Sequence, residues 1–382
     1  MKNQLYIILL VGLVACSKDN NKIQSTSIDY ELVITDSIQV NHLQQLTLVD
    51  IEDGRILAKN QATSTYVIFD EKGNINSQIE LKTDGPNAIN MSYSEGFFEG
   101  KFTIMDRKKG IIQFSDEGNI IKNFTILEDY IYLNPFNKPI FTIGDKLAYY
   151  RPERDMSDWE KPEEFYRRIY NLPILEVLDP KTNETKLKME IPETSVYKDG
   201  DFHFVFYPQI VKRGKIWYLF LMAEMKFYVY EEKGEELIFK ESVSLNFKDQ
   251  IPFPSASMKN PYELFSKLDK VVSSMIEQLY AFDDKIILIY RKGAGENIVQ
   301  NYDKENQSEW EDFFQSLPKY AAVFDSEYKL LQDNIELPSG TLSTPILTQD
   351  GHILVHKNQR LLGEEDWNTY YKLKLTEKRE VN

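Results

Sequence analysis

Four basic residues stand at the ends of predicted β-strands, and their side chains could together bind an anion. The guanidinium group of Arg presents a fork of N–H donors that can bind a carboxylate through two hydrogen bonds at once. The alternative is that each cation pairs with an acidic residue close to it in the chain, such as Asp106, Glu153 or Glu296. The four candidate anion-binding residues are Arg107, Arg151, Arg291 and Lys357.

Two further groups of residues have types suited to binding. The sequence Gly85-Pro86-Asn87 predicts a tight loop that could contact a ligand, because Gly and Pro set the backbone angles that turns need. A plain turn is the alternative. Trp159, Tyr166 and Trp310 lie in long insertions and could stack against a sugar or a peptide. The alternative for these aromatic residues is that they pack the insertions onto the rest of the protein.

Motifs of several well-known enzyme classes are absent from the sequence. It contains no His-Glu-x-x-His zinc motif, no Gly-x-Ser-x-Gly nucleophile motif and no phosphate-binding loop. His352 and His356 share one predicted strand, but no third ligand is evident, so no metal site is predicted. The sequence therefore favours a binding module over an enzyme. The rival interpretation is a hydrolase, lyase or lactonase acting in a central funnel, with calcium as its possible cofactor.

The overall charge limits the class of partner. The chain has 382 residues and a formal net charge of −15, with 60 acidic and 45 basic residues. Such a surface repels nucleic acid and anionic lipid, so neither is expected as a partner. The expected partners are a small anionic ligand, a peptide or glycan, or another envelope protein. Aromatic residues make up 13% of the chain, which favours β-strands.

The first residues are typical of a bacterial lipoprotein. Lys2 is followed by a short apolar segment, and Leu13-Val14-Ala15-Cys16 resembles the motif at which the signal is cleaved and the cysteine lipidated. Cys16 is also the one cysteine of the chain. We therefore predict a signal peptide over residues 1–15, a lipidated flexible tether over 16–27 and a folded domain over 28–382. The predicted location is the outer membrane, on its periplasmic or surface side. An ordinary secretory signal is the alternative.

A repeated pattern indicates the fold. A tight turn, a basic residue and an alternating apolar strand recur, as in Asp53-Gly54-Arg55-Ile56-Leu57 and Arg213-Gly214-Lys215-Ile216-Trp217. A second unit, strand then hairpin, alternates with it, as in Phe69-Asp70-Glu71-Lys72-Gly73-Asn74 and Phe114-Ser115-Asp116-Glu117-Gly118-Asn119. Repeats of about 40–50 residues with four short strands are typical of propeller blades. The predicted blades lie near 43–81, 92–126, 138–191, 203–245, 274–337 and 344–375.

The ends of the chain predict how the ring closes. The sixth repeat stops at its third strand, whereas an extra strand over residues 30–40 precedes the first blade. This N-terminal strand should become the outer strand of the last blade, which would remove two open sheet edges. The prediction is an all-β, six-bladed propeller closed by its N-terminal strand. The alternative is a β-sandwich followed by a second β domain.

The long insertions all fall in connections that a propeller places on one face. They span residues 152–172, 292–318 and about 246–273, and we expect a few short helices within them. Asn260 and Pro261 should begin one of these helices. The second strand of each blade ends at the same face, so the four candidate cations should meet there as a basic rim. Functional loops commonly gather in this way on a rigid scaffold.

The order of these motifs resembles a known group of proteins. The lipidation motif at Cys16, the two hairpin copies, the Gly85-Pro86-Asn87 loop and the Tyr290-Arg291 strand end resemble six-bladed β-propeller lipoproteins of Bacteroidota. That family is classified as a domain of unknown function. The resemblance implies the fold and the envelope location, but no activity. The resulting hypothesis is a lipid-anchored module that binds a ligand or a protein through its loop-rich face.

Overall fold

The computed structural model describes residues 29–378 except 61, 86–87, 90–91, 125, 127–129, 131–138, 159 and 205–206. The predicted signal peptide and tether, with the lipidation site Cys16, lie outside the described residues. Three of the candidate site residues, Pro86, Asn87 and Trp159, also lie outside them. The remaining candidate residues are all described.

The described strands form six four-stranded antiparallel sheets, one for each predicted blade. Within a sheet the strands follow chain order from the inside outwards, so each of the first five blades is a meander. Blade 1 is the first complete sheet along the chain, and in the ring it lies next to the blade that contains the N-terminal strand. The first three blades and the N-terminal strand comprise β1 (Tyr30–Val40), β2 (Leu46–Glu52), β3 (Arg55–Asn60), β4 (Thr65–Asp70), β5 (Ile75–Glu80), β6 (Ser92–Phe98), β7 (Lys101–Asp106), β8 (Gly110–Phe114), β9 (Ile120–Phe124), β10 (Ile140–Ile143), β11 (Lys146–Tyr150), β12 (Leu175–Leu178) and β13 (Thr185–Lys188).

The fourth to sixth blades follow the same plan. A small two-stranded sheet, β14 with β19, stands beside them and was not predicted. The strands are β14 (Asp201–Phe202), β15 (Pro208–Arg213), β16 (Ile216–Leu221), β17 (Lys226–Lys233), β18 (Glu236–Ser244), β19 (Ala256–Ser257), β20 (Met275–Ala281), β21 (Lys285–Arg291), β22 (Lys319–Asp325), β23 (Leu330–Glu336), β24 (Thr341–Leu347), β25 (Ile353–Lys357) and β26 (Asn368–Glu377).

The N-terminal strand closes the ring as predicted. The sixth sheet has the order β1-β26-β25-β24, and β1 pairs antiparallel with β26 from Tyr30 opposite Glu377 to Val40 opposite Asn368. The side chain of Asn368 strengthens the junction, because its Oδ1 accepts a hydrogen bond from the N–H of Leu46 at 2.9 Å. The hydroxyl of Tyr370 donates to the carbonyl of Leu46 at 2.8 Å. The last blade is thus joined to the first strand of blade 1.

The repeated turns have the backbone angles that their residues predict. In the turn between β2 and β3, Asp53 and Gly54 have φ angles of +50° and +74°. Two successive residues with positive φ form the tight turn that matches the twist of a β-hairpin, and Asp and Gly adopt these angles readily. In the turn after β4, Oδ1 of Asp70 accepts hydrogen bonds from the N–H groups of Lys72 and Asn74 at 2.9 Å. These turns keep the strand register fixed around the ring.

The core lies between the blades. Aromatic side chains bridge neighbouring sheets: the rings of Tyr66 and Phe102 are 4.5 Å apart between blades 1 and 2, and those of Phe227 and Phe324 are 5.6 Å apart between blades 4 and 5. The first strands of the blades also contact one another, as β2 does with β6 and β24. Burial of large apolar surfaces between sheets is therefore what holds the ring, with a favourable free energy of about 25 cal/mol for each Å² removed from water.

The helices all lie in connections on one side of the ring. This side carries the connections from the second to the third strand of a blade and from one blade to the next, and we call it the loop face. The opposite side carries the short hairpins and the two ends of the described chain, Asp29 and Lys378, and we call it the turn face. The helices are α1 (Pro162–Asn171), α2 (Glu263–Leu268), α3 (Glu296–Val299), α4 (Gln307–Ser316) and α5 (Gln359–Leu362), with a 3-10 helix at Val196–Lys198.

The start of α2 differs from the prediction. Asn260 and Pro261 were expected to begin the helix, but it begins at Glu263 after Tyr262, and no side chain caps it. The N–H groups of Glu263 and Leu264 instead donate to the carbonyls of Asn260 and Pro261 in a preceding turn. No helix within the described part of the chain has the length and apolar character needed to cross a membrane.

Candidate functional site

The loop face contains a cleft of about 710 Å³ between blades 5 and 6. One wall is formed by the end of α4 and its connection to β22, residues 314–320. The other is formed by residues 336–342, which connect β23 to β24, together with Asn358 just before α5 and Leu361 within it. We call this feature the inter-blade cleft. Its lining mixes apolar side chains, such as Phe314 and Leu337, with polar and charged ones, such as Lys319 and Glu336.

A buried ion-pair network forms the base of the inter-blade cleft. Arg291, at the end of β21, is only 3% exposed. Its Nη1 lies 3.4 Å from Oε1 of Glu277, while Nζ of Lys319 lies 2.7 Å from Oε2 of the same carboxylate. Burial lowers the pKa of the Arg291 guanidinium, and Glu277 opposes that shift. Two cations thus share one carboxylate. Because this place is poorly solvated, the cations and the carboxylate stabilise each other's charge.

Contacts between α4 and α5 join the two walls at the mouth of the cleft. The side chain of Asn358 accepts a hydrogen bond from the N–H of Arg360 and so caps α5. Arg360 in turn binds Asp312 of α4 at 2.5 Å. Gly340 lies against Leu362, and a Cβ atom added at this glycine would come within 2.5 Å of the leucine side chain. The cleft therefore depends on a glycine where two loops approach closely.

The four candidate cations do lie at strand ends on the loop face, but their surroundings differ. Arg151 binds Glu153 at 3.1 Å and the carbonyl of Pro173 at 2.9 Å. Lys357 binds Glu365. Arg291 binds Glu277 of a neighbouring strand. Arg107 is exposed and has no ion pair with any described residue. Three of the four cations thus have carboxylate partners, and anion binding by the four together stays a prediction.

The acidic partners differ from two of those considered from the sequence. Glu153 does pair with Arg151, as the alternative interpretation expected. Asp106, however, turns back to accept the N–H groups of Lys108 and Lys109 at 2.9 Å. Glu296 lies 3.5 Å from Lys270. Only Arg291 takes its carboxylate from an adjacent strand, whereas Arg151 binds a near neighbour in sequence and Lys357 binds Glu365 of the following connection.

The other candidate residues are placed as follows. Gly85 has a φ of +78°, and its carbonyl accepts the N–H of Ala88 at 3.1 Å. The ring of Tyr166 is half-buried and lies 4.6 Å from that of Phe202. Trp310 packs 5.2 Å from Phe313 within its own insertion. A binding role for these residues stays a prediction.

A narrow central channel of about 240 Å³ runs between the first strands of the blades. Asp50 lines it, and its carboxylate accepts hydrogen bonds from the N–H groups of Ile51 at 2.8 Å and Phe97 at 2.7 Å. Loss of solvation raises the pKa of Asp50 to about 7, although these two N–H groups oppose the shift. Gly96 leaves room for this carboxylate, because a Cβ atom there would lie 2.9 Å from Oδ2. The sequence analysis missed Asp50.

The described residues contain no group of three or more His, Cys, Asp or Glu side chains placed to hold a metal ion. Nδ1 of His352 lies 3.0 Å from Asp350. His356 packs its ring 5.1 Å from that of Tyr370, and burial lowers its pKa. The two histidines do not share a strand as predicted, because His352 lies in the turn just before β25 and only His356 belongs to it.

Six radial sheets closed by an N-terminal strand define this protein as a six-bladed β-propeller. A crystal structure of a DUF4221 family member from Bacteroides vulgatus is similar, with a TM-score of 0.65 and 13% identity over 92% of this chain and 100% of that one. A candidate exported protein from Bacteroides fragilis gives a TM-score of 0.53 and 13% identity over 92% and 95% of the two chains. The predicted resemblance to Bacteroidota propellers is thereby confirmed at the level of the fold. No family model and no curated protein matches the sequence.

Proposed function

We propose that this protein is a lipid-anchored binding module of the cell envelope that holds its partner against the loop face. The inter-blade cleft carries this proposal. It is an open feature of about 710 Å³ whose wall residues include Phe314 and Leu361, which remain 38% and 58% exposed. Large apolar side chains that stay exposed beside a cleft commonly mark a binding surface.

The envelope location is supported by two observations. The N-terminal segment has the pattern of a lipoprotein signal ending at Cys16. One of the structurally similar proteins is a candidate exported protein of Bacteroides fragilis. We therefore place the mature protein at the outer membrane, with its lipid on Cys16 as the anchor.

Asp50 favours a second candidate function, an enzyme acting in the central channel. A carboxyl group whose pKa lies near 7 can accept and donate protons at physiological pH, as general acid–base catalysis requires. The reaction class would be hydrolysis or elimination. A calcium-dependent version is less favoured, because Asp50 is the one carboxylate among the described residues that line the channel, and calcium usually takes several oxygen ligands.

Photo-crosslinking in intact cells tests the binding proposal. A photoreactive amino acid is placed at Leu361 on the loop face, and in a control variant at Lys72, an exposed position in a hairpin on the turn face. We expect a discrete protein adduct from Leu361 and none from Lys72. Adducts of equal yield from both positions, or no adduct from either, would contradict the proposal.

A further inference from the structure

A set of exposed apolar residues lies in the connections beside the inter-blade cleft and across the loop face of blade 6. Gly340 brings Leu362 against the cleft wall. The side chain of Gln359 donates to the carbonyl of Trp367. Asn368, the next residue, donates to the carbonyls of His42 and Gln44 and so places the connection from β1 to β2 beside it. We call this set the apolar ridge; its members and their exposures are Leu43 81%, Phe314 38%, Leu361 58%, Leu362 45% and Trp367 38%.

The apolar ridge sits on the loop face, as do Tyr262, Phe265, Ile298 and Tyr302, whereas the other exposed large apolar side chains of the described residues lie on the outer strands. All five side chains come from connections between strands, where polar residues are the norm. Exposing them to water costs free energy that a partner could recover by covering them. Trp is also enriched among the residues that contribute most to protein interfaces.

The charges around the apolar ridge indicate what kind of partner would cover it. Residues 303–316 and 357–367 together contain eight acidic and three basic residues. The basic ones are engaged: Arg360 binds Asp312, Lys357 binds Glu365, and Lys304 donates to the carbonyl of Asp269. Five of the acidic residues have no ion pair with a described residue, and they are Asp303, Glu305, Glu309, Glu364 and Asp366.

The cations at the base of the cleft do not offset the excess of acidic residues around it. Arg291 and Lys319 both bind Glu277, and Glu336 also lines the cleft. The guanidinium of Arg291 is moreover covered by the ring of Phe314 at 4.0 Å. An anionic ligand would therefore have to compete with carboxylates already in place. A ligand with an apolar group and positive charges meets no such competition.

We infer that the inter-blade cleft and the apolar ridge dock a basic segment of a protein partner, with one large apolar side chain of that segment seated in the cleft. This inference rests on the proposed function and specifies the chemistry of the partner. The leucines of the ridge favour a protein over a glycan, because sugars stack on flat aromatic rings whereas aliphatic side chains pack against other aliphatic side chains. Lys or Arg residues on either side of this apolar side chain would face the five acidic residues near the apolar ridge that have no ion pair with a described residue.

Selection of peptides tests this inference. The mature, lipidated protein is purified in detergent and used to select binders from a random peptide library. We expect the selected peptides to carry a large apolar residue flanked by Lys or Arg. Their affinity should fall about tenfold or more with Leu361→Lys, which removes an apolar contact at the centre of the docking surface and places there a positive charge that repels the basic segment. It should also fall when the salt concentration rises from about 50 mM to about 500 mM, because exposed charges are screened.

The matched control is Ile121→Lys, which changes a side chain of similar exposure, 52%, on the outer strand β9 of blade 2. Selected peptides should bind this variant as they bind the unchanged protein. Selection of acidic or uncharged peptides, recovery of no peptide, or equal loss of affinity in both variants would overturn the inference. Binding of a polysaccharide that is lost with Leu361→Lys would overturn it in favour of a glycan. A protein adduct at Leu361 in cells combined with any of these results would leave the proposed function standing and remove only the partner chemistry.

Discussion

The guanidinium carbon of Arg291 lies 4.0 Å from the centre of the Phe314 ring and joins the end of β21 to α4 at the base of the inter-blade cleft. A cation above an aromatic face is attracted by the negative charge density of the ring. The same guanidinium binds Glu277, whose other oxygen binds Lys319. Arg291 thus supports the shape of the cleft from inside the protein.

Arg291→Ala should therefore destabilise the fold. Removing one partner of a buried ion pair leaves the other charge poorly solvated, so we expect the free energy of unfolding to fall by about 3 kcal/mol. Urea denaturation measures this change. The control is Arg213→Ala, which breaks an exposed pair with Asp283 at 2.7 Å and should cost about 0–1 kcal/mol. If both variants lost an equally small free energy of unfolding, the result would instead indicate that Arg291 is free to bind an anion.

Because the N-terminal strand closes the ring, a substitution at a buried position of β1 should lower the stability more than one at an exposed position. Ile38 is 2% exposed and packs into the core between blades 6 and 1, whereas Ile34 is 44% exposed. Ile38→Ala should lower the free energy of unfolding by about 3 kcal/mol, since it leaves a cavity in a packed core. Ile34→Ala should cost less than about 1 kcal/mol. Similar unfolding midpoints for the two variants in urea would mean that β1 contributes little to the closure.

The raised pKa of Asp50 predicts a pH-dependent stability. Because the folded protein binds this proton more tightly than the unfolded chain does, the stabilising contribution is fully present below about pH 4 and is lost as the pH rises through about 7. The unchanged protein should lose about 1–4 kcal/mol over this range relative to Asp50→Asn, which cannot titrate. Urea denaturation at a series of pH values measures the difference. Parallel curves for the two proteins would show that Asp50 has an ordinary pKa.

Lipid anchoring predicts the effect of a single substitution at the N-terminus. Cys16→Ser removes the thiol that would carry the lipid, so the protein should leave the membrane fraction when cells are separated into soluble and membrane parts. Ser17→Ala serves as the control and should remain with the membrane. Retention of the Cys16→Ser variant in the membrane fraction at the level of the control would contradict the anchoring proposal.

The fold was predictable because its information is local and repeated. Each turn with Asp and Gly fixes a hairpin, and six copies of one hairpin pattern leave few ways to arrange the strands. The extra strand before blade 1 and the missing strand after β26 then predict the closure. The position of Arg291 at a strand end was likewise correct, because apolar alternation stops there. Its partner Glu277 was not predicted, because that residue stands on the neighbouring strand β20.

The cleft and the channel could not be predicted in the same way. The inter-blade cleft depends on how Gly340, Phe314 and Leu361 meet, and these residues belong to loops without a repeated pattern. Asp50 follows a bulge in β2 that shifts the register between Leu48 and Asp50. A bulge changes which side chains point to which face, so simple alternation along the strand does not indicate that Asp50 reaches the channel.

Hydrogen exchange of the mature protein, alone and bound to the protein captured through Leu361, tests the central claim most directly. Docking at the inter-blade cleft predicts slower amide exchange in residues 336–342 and 358–362 of the complex, with unchanged exchange in the hairpin at 71–74 on the turn face. Unchanged exchange at 336–342 and 358–362, or slower exchange confined to the turn face, would contradict the claim that this protein binds its partner through the loop face.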